Sequence, residues 1–84
     1  MAPTHASVVD LWEFYAEVES LIEELRTLKK AGAADEVEAA TRGGSTSGEI
    51  LGRLRTRLSD VSVQVPGVAR RASRLAMRAA EALR

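Results

Sequence analysis

The apolar residues of the first third of the chain recur at alternating spacings of three and four, as in a helix that packs against neighbours. No Gly or Pro interrupts this stretch, so the pattern predicts one long helix over about residues 7–31, capped by Ser7, with Thr4 as the alternative cap, and stopped by Gly32. At 100° per residue the apolar positions cover roughly 200°, about twice the stripe of an ordinary surface helix. This helix is therefore expected to need two covering surfaces.

The rest of the chain predicts shorter helical segments that fold back along the first helix. Thr46 and Glu49 form a T-x-x-E capping box directly before an apolar run, and Val65-Pro66 breaks the chain again. The predicted segments are a short connector helix over about 33–41, a turn over 42–48, a helix over about 47–61 and a helix over about 66–83. The expected fold is all-α, a single helical domain over residues 1–84 that forms a bundle and is completed by oligomerisation.

Length and composition restrict how such a chain can be stabilised. Its 84 residues contain no cysteine, so neither disulfides nor a thiolate metal site can stabilise it, and His5 is its one imidazole. Helix packing and oligomerisation remain. The first five residues lack the features of a secretory signal, and no apolar run approaches the roughly 20 residues that span a bilayer. We expect a cytoplasmic protein that does not enter membranes.

The formal net charge is zero, but the two halves of the chain differ in sign. Residues 1–40 hold nine acidic and three basic residues, a net charge of −6. Residues 41–84 hold three acidic and nine basic residues, all of them Arg, a net charge of +6. The acidic residues lie mostly opposite the apolar arc of the first helix, so we expect the halves to meet only at the rims of helices or between molecules.

The positive charge is concentrated on one face of the last predicted helix. This face holds four arginines within roughly 100° of one another, Arg70, Arg71, Arg74 and Arg78. Guanidinium groups so placed suit phosphate contacts, which makes a nucleic-acid-associated regulator the alternative function. Ion pairing or solvation is favoured instead, because the net charge is zero and no aromatic residues are interleaved for base stacking.

The sequence contains little that indicates a catalytic or metal-binding site. The turn at 43–48 lacks both the Gly-Lys-Ser/Thr of a P-loop and a preceding strand. Carboxylates paired at i, i+4, such as Glu13 with Glu17, lack the histidines of a helical di-metal site. No Ser or Thr has a visible activating base. We expect no enzyme activity, no cofactor, and no catalytic, cofactor-binding or metal-binding residues.

All three aromatic residues fall within one turn of the first helix. Trp12 and Phe14 point about 160° apart, so one small core can hardly bury both. This favours an interaction or assembly module that forms a homodimeric bundle through the first helix, with an unidentified protein partner as the other option. The candidate interface residues are Leu11, Trp12, Phe14, Tyr15, Val18, Leu21, Leu25 and Leu28.

Residues 28–58 resemble a pattern of small uncharacterised bacterial helical proteins. In that pattern a short acidic helix, here 35–41, is followed by Gly-Gly-Ser-Thr, here 43–46, and then by a helix that opens Glu-Ile-Leu, here 49–51. The resemblance covers about a third of the chain. It implies a helix–turn–helix connector in a bacterial protein and brings no particular activity.

Overall fold

The computed structural model describes residues 3–44 and 46–83, with side chains for 11–44, 46 and 48–83. Within these residues the chain is all-α, as the apolar pattern predicts, and contains no strand. The elements are α1 (Pro3–Thr27), α2 (Ala31–Arg42), α3 (Ser47–Gln64), one turn of 3₁₀ helix (Pro66–Val68) and α4 (Ala69–Ala82).

The four helices form a ring in which each packs against two neighbours. α1 contacts α2 and α4, and α3 contacts α2 and, most extensively, α4. The chain measures 43 × 24 × 18 Å, and α1, at about 37 Å for its 25 residues, sets the long dimension. The face shared by α1 and α4 is therefore opposite the face shared by α2 and α3.

The core occupies the inside of this ring and draws on all four helices. Its largest fully buried side chains are Val18, Leu21, Leu25, Val37, Leu54, Leu58 and Leu75. α4 contributes mainly Ala72, Ala76 and Ala79, whose small side chains allow α3 to approach closely. No described polar or charged residue is buried. Each buried Leu or Val contributes about 1.5–3 kcal/mol, so this apolar contact stabilises the fold.

The first helix ends four residues earlier than expected. α1 stops at Thr27, and Gly32, the predicted stop, lies inside α2. The turn is made instead by Lys29, whose φ of 64° is left-handed. The N–H of Lys29 donates to the carbonyl of Arg26 at 3.0 Å, and the N–H of Lys30 donates to that of Leu25 at 2.8 Å. These two bonds form a Schellman motif, which closes the helix without a glycine.

Other boundaries also differ from the prediction, and α2 spans Ala31–Arg42 rather than 33–41. α1 begins at Pro3 rather than near residue 7, since proline is well tolerated in the first turn, and the predicted cap Ser7 lies within the helix. α3 continues beyond 61 to Gln64, because only Pro66, acting on the extended Val65, ends it. The last helix starts with a 3₁₀ turn, so α4 proper spans Ala69–Ala82 instead of 66–83.

The turn between α2 and α3 is held by a cap and by close packing. The hydroxyl of Thr46 accepts a hydrogen bond from the N–H of Glu49 at 3.2 Å, as the T-x-x-E pattern predicts. A Cβ added to Gly44 would lie 2.8 Å from the Cβ of Glu49 and 3.0 Å from the backbone nitrogen of Ile50. Glycine is therefore needed at position 44 because the turn passes against the first turn of α3, and not because of a positive φ.

Replacing Lys29 with Gly should stabilise the protein. A left-handed conformation costs a non-glycine residue about 1–2 kcal/mol, and glycine avoids this cost. Because glycine loses more conformational entropy on folding, the free energy of unfolding should rise by only about 0.5–1 kcal/mol. Urea titration at one protein concentration measures the change. Lys30→Gly is the matched control, because the φ of Lys30 is −109° and glycine should bring no gain there. Equal effects of the two substitutions would contradict the assignment of the turn.

Candidate interaction surface

The seam between α1 and α4 holds two of the four clustered arginines. Arg78 donates to a carboxylate oxygen of Glu17 at 2.6 Å, and its guanidinium carbon lies 5.9 Å from the centre of the Phe14 ring. Arg71 forms an ion pair with Glu24 and donates to the hydroxyl of Ser20 at 2.7 Å. Arg71 contacts Ser20 and Glu24, whereas Arg78, one helical turn or more further along α4, contacts the earlier residue Glu17 of α1. The two helices are therefore antiparallel.

The other two arginines of that face point into solvent. Arg70 and Arg74 are exposed, and no hydrogen bond or ion pair of the described residues involves either. Met77, 63% exposed, lies beside them on the outer surface of α4. At 100° per residue these three side chains fall within about 60° of one another, and we call them the basic row.

A second set of ion pairs ties α2 to α1. Arg26 donates to Asp35 at 3.2 Å and to Glu38 at 2.6 Å, and Arg42 donates to the other oxygen of Glu38 at 3.0 Å. These carboxylates are thereby neutralised by nearby guanidinium groups. No sequence pattern predicts this cluster, because its members lie on two helices whose relative register cannot be read from local spacing.

The outer surface of α1 keeps acidic residues for which the described part of the chain supplies no cation. Glu19 and Glu23 are exposed and lie one helical turn apart, without an ion pair to any described residue. Trp12, 81% exposed, lies on the same stripe. The three side chains fall within about 40° of one another around the helix axis, and we call them the acidic row. Glu13 is also exposed and flanks this row.

The eight candidate interface residues divide between the core and the surface. Phe14, Val18, Leu21 and Leu25 are buried in the chain's own core, so the folded molecule cannot offer them to a partner. The apolar arc that predicted a partner is thus covered by α2 and α4. Among the rest of the candidates, Trp12 alone lies on the outer surface with most of its area exposed.

Three candidates lie at the edge of the core. Leu11 and Tyr15 are half-buried. The Tyr15 ring lies 5.3 Å from that of Phe14 in an edge-to-face arrangement, and burial raises the pKa of the Tyr15 phenol above its ordinary value of 10.0. Leu28 is 42% exposed, and its Cδ1 would lie 3.8 Å from a Cβ added to Gly67. Leu11 and Tyr15 therefore pack against the edge of the core, and Leu28 lies beside the 3₁₀ turn that precedes α4.

One open groove of about 590 Å³ lies on the opposite face of the ring, between α2 and α3. Its polar lining comes chiefly from Glu36, Arg53, Thr56 and Arg57, beside Gly48 and Gly52. Arg57 lies 3.7 Å from Asp60 on its own helix. No histidine or buried nucleophile enters this lining, and among the described side chains no three His, Asp or Glu residues are grouped to hold a metal ion. The groove therefore offers charge but no catalytic constellation.

Comparison with known protein families, with curated proteins and with solved structures finds no match to this chain. Among the helices described, none is both long enough and apolar enough to cross a membrane. The function is therefore inferred from the two exposed rows and the packing beneath them.

The ion pair between Glu17 and Arg78 should contribute little to stability. A double-mutant cycle with Glu17→Gln and Arg78→Gln should give a coupling of about 0.2–1 kcal/mol at low salt, because both side chains are partly exposed. The coupling should shrink in about 1 M salt, where charges are screened over roughly 3 Å. The control cycle replaces Glu17→Gln with Glu19→Gln and should give no coupling. A coupling far above 1 kcal/mol, or one that ignores salt, would contradict a rim contact.

Proposed function

We propose that this chain is a self-associating helical interaction module with no catalytic activity, and that the exposed Trp12 anchors its contact. The observation that supports this is the position of Trp12, which is 81% exposed on α1 while the core beneath it is complete without it. A large aromatic side chain outside a finished core gains its burial only from a partner.

The chemistry of tryptophan supports this role. Its ring offers a large apolar area that loses little conformational entropy when it is fixed, and tryptophan is enriched at the residues that carry most of the binding energy of interfaces. Glu19 and Glu23, on the same stripe, lie where charges at the rim of a contact set orientation and partner choice. The same acidic neighbours disfavour a lipid surface, because helices that lie on membranes carry basic residues beside their apolar anchors.

A nucleic-acid-associated regulator remains the second candidate. Arg70 and Arg74 are free of ion pairs to the described residues and could contact phosphate groups. Arg71 and Arg78 would first have to release Glu24 and Glu17. Two exposed arginines on a chain of zero net charge are a weak basis for binding a polyanion, so this function is the less favoured. A cytoplasmic location, expected from the lack of cysteine, belongs to the proposal as well.

Removing the Trp12 side chain should weaken self-association without loss of the fold. Sedimentation equilibrium of the full chain over a concentration series should detect a dimer or larger species, and Trp12→Ala should raise its dissociation constant at least about 10-fold, a change of 1.4 kcal/mol. Val63→Ala is the matched control, because Val63 is also 81% exposed but lies on α3, and it should leave the constant unchanged.

Two results of this measurement would contradict the proposal. One is a 9.1 kDa monomer at every concentration tested. The other is a wild-type oligomer that Trp12→Ala leaves intact. Circular dichroism of both variants shows whether the helices are retained.

A further inference from the structure

We infer that the acidic row of one copy of the chain docks on the basic row of a second copy. This rests on the proposed function, since it names the two surfaces through which the self-association occurs. The two rows are the oppositely charged stripes on the outsides of α1 and α4.

The two rows match in spacing as well as in sign. Glu19 and Glu23 lie one helical turn apart, and so do Arg70 and Arg74, so each row presents its two charges about 6 Å apart along its helix. When the two helices are laid antiparallel, Glu23 faces Arg70 and Glu19 faces Arg74. Two ion pairs can then form at once without distortion of either helix.

The apolar side chain of each row falls at the same end of this arrangement. When Glu19 lies opposite Arg74, Trp12 and Met77 both lie past this ion pair, on the side away from the pair of Glu23 with Arg70. Trp12 lies about 10 Å from Glu19 along α1, and Met77 lies about 4 Å from Arg74 along α4. These long side chains can meet across the remaining gap, and thioether sulfur packs favourably against aromatic rings. A parallel arrangement would pair the same charges but place Trp12 and Met77 at opposite ends, so the antiparallel one is preferred.

Contact between two copies of α1 through the same stripe is disfavoured. In a parallel pair in register, or in an antiparallel pair centred between Glu19 and Glu23, these glutamates would lie against their own counterparts, and like charges across an interface are repulsive. A contact between the acidic row of one copy and the basic row of the other avoids this repulsion, because the two helices in it carry opposite charges. Each copy carries one row of each sign, in keeping with its zero net charge.

The deciding experiment exchanges the charges of each row separately. E19R/E23R gives the chain two basic rows, and R70E/R74E gives it two acidic rows. Measured alone by sedimentation equilibrium at low salt, each variant should associate at least about 10-fold more weakly than wild type, because its rows repel those of other copies. When the two variants are mixed in equal amounts, association should return, since the basic row of one now meets the acidic row of the other.

A matched control separates this effect from net charge. R53E/R57E also changes the net charge by −4, but it alters exposed residues of the α2–α3 groove on the opposite face. It should associate as wild type does. Circular dichroism of every variant, and the return of association on mixing, show that a loss is not due to unfolding.

The outcomes distinguish the two levels of the proposal. If wild type is a monomer throughout, the proposed self-association itself fails. If wild type associates and Trp12→Ala weakens it, but either row exchange leaves association intact, self-association stands and the docking of the two rows is overturned. The docking is equally overturned if mixing the two exchanged variants restores nothing, or if R53E/R57E weakens association as much as R70E/R74E does. Binding of a DNA duplex by wild type that R70E/R74E abolishes, without self-association, would assign the basic row to nucleic acid and overturn the docking.

Discussion

The structure depends on covering the wide apolar face of α1 with the rest of the same chain. With 84 residues and no cysteine, little besides apolar packing can stabilise the fold. α2 turns back along one edge of that face and α4 runs along the other, and between them they bury Val18, Leu21 and Leu25 completely. The left-handed turn at Lys29 makes this geometry possible, because it ends α1 early enough for α2 to reverse direction. The alanines of α4 allow α3 to close the ring.

Ion pairs at the rims of these apolar contacts orient the helices relative to one another. Arg71 and Arg78 join α4 to α1, and Arg26 joins α1 to α2, so each ion pair lies at the rim of an apolar contact. Exposed pairs of this kind contribute only about 0–1 kcal/mol each, so they favour one orientation of the helices more than they stabilise the fold. Among the charges that these pairs leave exposed are the carboxylates of Glu19 and Glu23 on the outside of α1 and the guanidinium groups of Arg70 and Arg74 on the outside of α4. We propose that these two sets of charges join copies of the chain.

The helical class, the start of α3 and the break before α4 could be predicted from local pattern alone, because apolar periodicity, a capping box and a proline act within a few residues. The end of α1 could not. Gly32 is the residue that usually accepts a left-handed turn, and nothing local indicates that Lys29 adopts it.

The candidate site was also only partly predictable. The opposed directions of Trp12 and Phe14 correctly indicated that one core would not bury both, and the structure leaves Trp12 outside. The width of the apolar arc, however, favours a partner from sequence alone, whereas α2 and α4 of the same chain cover it. The grouping of the four arginines is visible on a helical wheel, but the register between α1 and α4 decides which two of them form ion pairs with described residues. That register joins residues 47 to 61 positions apart, where local patterns carry no information.

The most direct test of this account is the fluorescence of Trp12, the single tryptophan of the chain, measured as the protein is concentrated at low salt. If Trp12 lies outside a complete core and is covered by a second copy, its emission should be that of a solvated indole in dilute solution. The emission should move to shorter wavelength as concentration rises, with unchanged helix content, and return when salt is added. Emission at short wavelength even in the most dilute solution would place Trp12 in the core and contradict the fold. Solvated emission at every concentration would contradict the contact between copies.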